Sequence, residues 1–458
     1  MKRVTPLVLF AALLTGCTAA AATATDPTAS PSAPSTTATA SGVPTPEAVA
    51  DWTTYHHDNA RTGAADVPAP RDPHVDWHAT LDGAVYGQPL VVGGKILAAT
   101  ENDTVYALDA ATGKVLWSTH LGTPVPRADL PCGDIDPLGI TGTMVFDPAS
   151  SRVFAVAEST GGLHTLAGID LNTGALQVRV GVDPPAGDRI AHQQRAALTL
   201  LHGRVFVAYG GLAGDCANYI GSVVSVTTAG RDPLHYQIPT GREGGIWTPG
   251  GATVDGQSLL YSVGNGESTD GGYDGSDSVI ALSDQLRRTD FFAPGTWADD
   301  NANDRDLGSG SPTVLGDWVF IAGKRGVGYV LRSGHLGGIN GQVAQTDACA
   351  SFGGSAVAAG TAYLPCPNGP IAVTIDATGK PTIRWHATVT ANGAPVVGGG
   401  AVWVTDYKAG ALYALRTTDG AVLAQLPVGD LPHFASPTLS GTHAYLGTMT
   451  GVSAIAID

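Results

Sequence analysis

One pattern returns eight times along the chain and restricts its fold more than any other feature. A small residue is followed by proline or another small residue, then by an apolar pair, a turn and a second apolar run. The pattern stands at Gln88-Pro89-Leu90-Val91, Gly142-Thr143-Met144-Val145, Ala197-Leu198-Thr199-Leu200 and Gly251-Ala252-Thr253-Val254. It returns at Ser311-Pro312-Thr313-Val314, Ser355-Ala356-Val357-Ala358, Ala394-Pro395-Val396-Val397 and Ser436-Pro437-Thr438-Leu439. Self-similarity of this kind marks a unit that cannot bury its apolar face alone and stacks on its neighbours. The apolar runs are short and β-rich, helical periodicity is nearly absent, and 61 glycines are spread evenly between the runs. Each unit therefore reads as four antiparallel strands, and the chain as an all-β, eight-bladed β-propeller.

The first unit shows the blade most clearly, with QPLVV, KILAAT, TVYALDA and KVLWSTHL as its strands. The last unit has only three, ASPTLS, HAYLGT and VSAIAI. Asp76-Trp77-His78-Ala79-Thr80-Leu81 precedes the first unit and resembles the fourth strands at Trp117 (WSTHL) and Trp385 (WHATV). The expectation is that this N-terminal strand completes blade eight and closes the ring of four-stranded blades, which removes exposed sheet edges.

The N-terminal region concerns location. Lys2 and Arg3 precede the apolar run Leu7 to Leu14, which suits a signal peptide and is too short to span a bilayer. Leu14-Thr15-Gly16-Cys17 looks like a bacterial lipobox, in which the Cys17 thiol is lipidated. Residues 1–16 are read as the signal peptide and 17–50 as the lipidated Cys with an Ala/Thr/Ser/Pro linker unable to form a core. Residues 51–458 are read as the propeller. The expected location is extracytoplasmic, anchored to the bacterial cell membrane through Cys17. The net charge is -16, and no basic cluster follows residue 3. Nucleic acid and direct adhesion to anionic lipid are therefore not expected. Cys132, Cys216, Cys349 and Cys366 make an even count suited to two disulfides in an exported chain. Three pairings are open. Proximity within the same or adjacent blades favours Cys132–Cys216 and Cys349–Cys366. No Cys-x-x-Cys-His occurs, which excludes covalent haem, and no nucleotide cofactor is expected.

The run Tyr106-Ala107-Leu108-Asp109-Ala110-Ala111-Thr112-Gly113-Lys114-Val115-Leu116-Trp117 resembles the repeat of the pyrroloquinoline quinone (PQQ) propellers. Degenerate copies stand at Gly168 to Gly174 and Leu412 to Gly420. The resemblance spans about Trp52 to Asp458 and implies the quinoprotein alcohol dehydrogenase-like superfamily. It implies that the repeat's Trp docks between blades and that the Thr-Gly turn links strands three and four. The superfamily holds both enzymes and noncatalytic scaffolds, so the fold does not decide activity.

A quinoprotein dehydrogenase needs a flat apolar floor, hard oxygen ligands for calcium, a carboxylate base and a cation near the quinone oxygens. The resemblance places candidates for each. Gly245-Ile246-Trp247 offers Trp247 as the stacking floor, and Gly264-Asn265-Gly266 offers Asn265 as a calcium ligand. A carboxylate partner on calcium would be Asp215 or Glu158. Arg305-Asp306-Leu307-Gly308 offers Asp306 as the base, and Gly323-Lys324-Arg325-Gly326 offers Lys324 as the quinone contact. One departure weighs the other way. Methanol-dehydrogenase-type members carry two adjacent cysteines under the quinone, whereas Cys132 has no Cys neighbour. The sequence reading therefore favours a binding or scaffold module with a protein or small-molecule ligand on the propeller face. Its alternative is a PQQ- and calcium-dependent dehydrogenase of an alcohol or sugar.

Overall fold

Each repeat start becomes the innermost strand of one blade in a computed structural model that describes residues 51–458. These strands are Leu90–Val92, Val145–Asp147, Thr199–Leu201, Thr253–Asp255, Thr313–Leu315, Ala356–Ala358, Val396–Gly398 and Thr438–Ser440. In blade one the order Leu90–Val92, Lys95–Ala99, Thr104–Asp109, Val115–His120 follows the chain. Burial falls outward, from a fully buried Leu90–Val92 to an outer strand that alternates exposed and half-buried residues. This gradient follows from the repeat: unbroken apolar pairs suit the axis, and alternating runs suit a strand with one wet face.

The expectation of a closed ring of four-stranded blades needs correction on two points. Among the described residues no sheet is closed by hydrogen bonds; there are eight separate, open sheets. His74–Thr80 pairs antiparallel with Gly451–Ala456 as the outermost strand of the eighth sheet. It supplies that blade's fourth strand without joining its ladder to the next blade. The reason is geometric: blades meet through the side chains on their faces, so a ladder has no path from one to the next. Three blades also carry a fifth strand, His192–Gln193 on blade three, Gly338–Ile339 on blade four and Ala64–Ala65 on blade seven.

What joins neighbouring blades is a repeated contact between tryptophan and glycine. The Trp77 indole of blade eight lies on Gly113 of blade one, Trp117 of blade one on Gly174 of blade two, and Trp385 of blade six on Gly420 of blade seven. A β-carbon on these glycines would stand 2.5 to 2.8 Å from the ring, and each glycine has φ near +70°. Glycine is thus required there for both space and backbone conformation. Each indole N–H also donates to a carbonyl of the neighbouring blade: Trp77 to Ala110, Trp117 to Leu171 and Trp385 to Thr417.

The segment ahead of the first blade has a structural role that the repeat does not announce. Residues 51–65 run across the innermost strands of several blades. Trp52 N–H donates to Val91, while Phe146, Val254, Val357 and Val397 donate to Thr53, Asn59, Thr62 and Gly63. Five blades therefore hydrogen-bond to one short stretch. Arg61, 4% exposed, fixes it by donating to Thr54, to the Tyr55, Leu198 and Ala252 carbonyls, and to Thr199.

The docking contact is testable at Trp117. Trp117→Ala should destabilise the domain by about 3 kcal/mol, measured by denaturant unfolding. Trp117→Phe should keep the packing, lose the bond to Leu171, and cost about 1 kcal/mol.

Candidate functional site

In a blade of alternating strands, the lead-in to strand one and the turn between strands two and three lie at the same end. Trp247, Asp306, Arg195 and Phe434 sit on the lead-ins to blades four, five, three and eight. Asn265, Lys324 and the stretch Gly211 to Asp215 follow the second strands of blades four, five and three. All therefore lie at that one end of the ring. Asp215, Trp247, Asp306, Lys324, Arg195 and Phe434 line one cleft of about 270 Å³.

Asp306 is the centre of this arrangement. Its side chain is 5% exposed, and Lys324 Nζ lies 2.5 Å from its Oδ2. The same ammonium lies 2.5 Å from Asp304 Oδ1. The Asn265 backbone N–H donates to Asp306 Oδ1 at 3.0 Å. Burial raises the Asp306 carboxyl above the ordinary carboxylate range, and the Lys324 ammonium opposes that rise. The carboxylates in turn hold the Lys324 ammonium above its ordinary value despite its partial burial. Gly264 allows the convergence: a β-carbon there would stand 2.5 Å from Asp306 Oδ1 and 3.2 Å from Trp247 Nε1.

Asn265 Nδ2 donates to Asp304 at 3.0 Å, while its Oδ1 is buried with no hydrogen-bond partner among the described residues. Asp215 is exposed and accepts from Tyr219 Oη at 2.6 Å. Its loop is tied by a disulfide between Cys132 and Cys216, and a second disulfide joins Cys349 to Cys366. Glu158 is not brought to the cleft. It lies buried within blade two, 3.4 Å from His164 Nε2. Arg325 turns from the cleft to Asp299 and Asp300, so the acidic stretch Asp299 to Asp306 is partly a short helix, Trp297–Ala302, with its own cation. Cys17 lies outside the described residues. Among the described residues no three His, Cys, Asp or Glu side chains are grouped to hold a metal, and no helix is long and apolar enough to cross a membrane.

Several lining groups were not foreseen. Arg195 lies 4.8 Å over the Phe434 ring, and its Nε is buried without a partner among the described residues. His433 stacks on Phe434 at 3.9 Å, and burial beside Arg195 lowers its pKa to about 4. Asp277 lies behind Asp306 and accepts from Leu307 N–H; burial raises its carboxyl well above the ordinary range. Each cleft residue except the turn residues stands within a few positions of a repeat start. That register was the available signal.

The fold is a PQQ-binding-like β-propeller of the kind found in quinoprotein alcohol dehydrogenases and in BamB. Residues 69–266 match the family described as outer membrane protein assembly factor BamB. A polyvinylalcohol dehydrogenase of Sphingopyxis sp. (strain 113P3) is 26% identical over 288 residues, 54% of this chain and 40% of the relative. The chain thus spans less than half of that relative. A quinohemoprotein alcohol dehydrogenase from Pseudomonas putida HK5 superposes with a TM-score of 0.69 at 14% identity, over 89% of this chain and 80% of its own. BamB from Moraxella catarrhalis superposes at 0.58 with 15% identity, over 85% and 99%. At such identities the structural likeness concerns the fold.

Lys324→Met should leave Asp306 buried without its cation and destabilise the domain by about 3 kcal/mol at pH 8. Asp306 binds its proton more tightly folded than unfolded, so the folded state gains as pH falls toward the unfolded carboxyl pKa. The deficit of the variant should therefore shrink between pH 8 and pH 5 in urea melts.

Proposed function

We propose that the chain is an extracytoplasmic quinoprotein dehydrogenase that uses PQQ and calcium to oxidise an alcohol or sugar. The observation that carries this reading is the convergence of Trp247, Asp306, Lys324 and Asp215 on one cleft, with Asn265 bonded to Asp306. The donor set fits the cofactor. Asn265 Oδ1 is a buried acceptor lacking a partner among the described residues, as a calcium ligand would be. The half-buried Trp247 ring offers a flat wall, and the unpartnered Arg195 Nε offers a donor to a quinone carboxylate. Asp215, on the cleft wall, would be the carboxylate partner of Asn265 on calcium, since Glu158 is engaged by His164.

When bound, PQQ would supply the two-electron acceptor. The chain's own part is to orient the alcohol and take its hydroxyl proton. Asp306 Oδ2 is the base, and its raised affinity for a proton suits that task. Lys324 opposes the rise that burial gives the Asp306 carboxyl and would bring positive charge beside oxygens that become more negative. Trp247→Ala should abolish or strongly weaken PQQ uptake, read as quinone absorbance retained after desalting. Asp306→Asn should keep uptake and lose turnover by about 100-fold or more. Retained turnover in Asp306→Asn would refute the role given to it.

A second reading, a noncatalytic scaffold, draws support from the BamB family match over residues 69–266. It is favoured if the wild-type protein takes up no quinone with calcium present. The Cys132–Cys216 link, in place of an adjacent cysteine pair, is compatible with either.

We also propose a lipid anchor at Cys17. The two disulfides suit an oxidising compartment, in keeping with an exported chain. Cys17→Ser should leave an unprocessed precursor or release the protein from the membrane fraction, checked by detergent phase partition.

A further inference from the structure

Beside the cleft at Asp306 lies a second one of about 200 Å³, formed by the lead-ins to blades six, seven and eight and the turns beside them. The two share Phe352, His433 and Phe434, so they form one extended depression. Tyr407 lies 4.5 Å from His433, and His433 lies 3.9 Å from Phe434 with an interplanar angle of 11°. Phe434 holds φ of +66°, a left-handed conformation that a bulky side chain rarely adopts. Strain of that kind persists where the surroundings impose it, and here it sets an aromatic ring at the junction of the clefts.

The side chains that line the second cleft are uncharged, with Arg195 over Phe434 and Lys408 over Tyr407 just outside them. Its wall holds no carboxylate, lysine or arginine among the described residues. Its one amide, Asn392, presents an Oδ1 that is buried with no hydrogen-bond partner among the described residues. A buried acceptor of this kind calls for a donor from a ligand. Stacked rings provide a face for C–H groups, and a neutral imidazole provides one donor or acceptor more. An aliphatic chain would leave Asn392 unpaired, and the wall itself gives an ion no charged partner.

We propose that this second cleft is a subsite for the hydroxylated body of a sugar or polyol. Its C–H face lies on Tyr407 and His433, one hydroxyl donates to Asn392 Oδ1, and the terminal carbinol extends toward Asp306. What happens at Asp306 rests on the dehydrogenase reading; the binding does not.

The test is calorimetric titration of the full chain, without PQQ, with sorbitol and with 1-hexanol. Sorbitol should bind and hexanol should not bind measurably. Asn392→Leu should weaken sorbitol binding by about tenfold. Asn392→Asp keeps an acceptor and should retain most of it. Tyr407→Leu should also weaken it, at an unchanged melting temperature. Hexanol binding as tightly as sorbitol, or sorbitol binding indifferent to both Leu variants, overturns the subsite. PQQ uptake is measured separately on the same preparations. Sorbitol binding that depends on Asn392 without PQQ uptake supports the subsite while the dehydrogenase reading fails. PQQ uptake without sorbitol binding overturns the subsite alone.

Discussion

Eight innermost strands around one axis leave eight rows of backbone N–H and C=O groups facing inward, and this is the constraint the rest of the domain answers to. Such groups cannot stay unpaired away from water without a cost of about 1–3 kcal/mol each. Residues 51–65 meet five of those strands with backbone hydrogen bonds. Arg61 then has to be held, because a buried guanidinium without partners would undo the gain. Its five bonds reach the stretch itself and the lead-ins of blades three and four. The result is a floor. Tyr55, buried on the axis, lies under Arg195, His433 and Phe434, and only a narrow gap separates this floor from the layer above. The cleft at Asp306 is open at one end because the other end is filled.

The repeat made the blades legible, since each blade's innermost strand coincides with a small-residue start. The docking tryptophans were legible for the same reason: Trp77, Trp117 and Trp385 occupy one register, and the glycine each meets recurs in the same turn. Residues 51–65 were not legible as a structural element. Their sequence has no period, because each side chain meets a different blade. Ring closure was read into the missing strand of the last unit, but a strand that completes a sheet does not connect it to the next one.

The site was legible in part, and the division has a physical basis. Trp247, Asp306 and Lys324 sit at fixed offsets within consecutive blades, so a motif could place them together. Glu158 and Asp215 both stayed open in the sequence; Glu158 lies inside the second strand of blade two and Asp215 just after that of blade three, and the pairing of Glu158 with a buried His164 removes it. Arg195, Phe352 and His433 come from blades three, six and eight, far apart in sequence. Their meeting depends on the ring bringing distant lead-ins to one axis.

Under the proposed dehydrogenase role, the electrostatics at the Asp306 end acquire a use that a purely structural blade does not need. Asp306 and Asp277 are both buried; burial raises the proton affinity of each, and the Asp306 charge raises that of Asp277 further. Replacing buried charged groups with packed apolar ones is often neutral or stabilising, so a purely structural blade gains little from them. Here the two carboxyls are held differently. Asp277 spends one oxygen on the Leu307 N–H, which fixes the backbone next to Asp306. Asp306 spends one oxygen on Asn265 N–H and keeps the other against Lys324, on the cleft wall. One carboxyl therefore positions the segment and the other is presented to the cleft with a cation beside it. A pair of acidic groups in unlike environments is what separates a positioning role from a proton-accepting one. The glycine at 264 completes the argument, since any side chain there would push Asp306 away from Trp247.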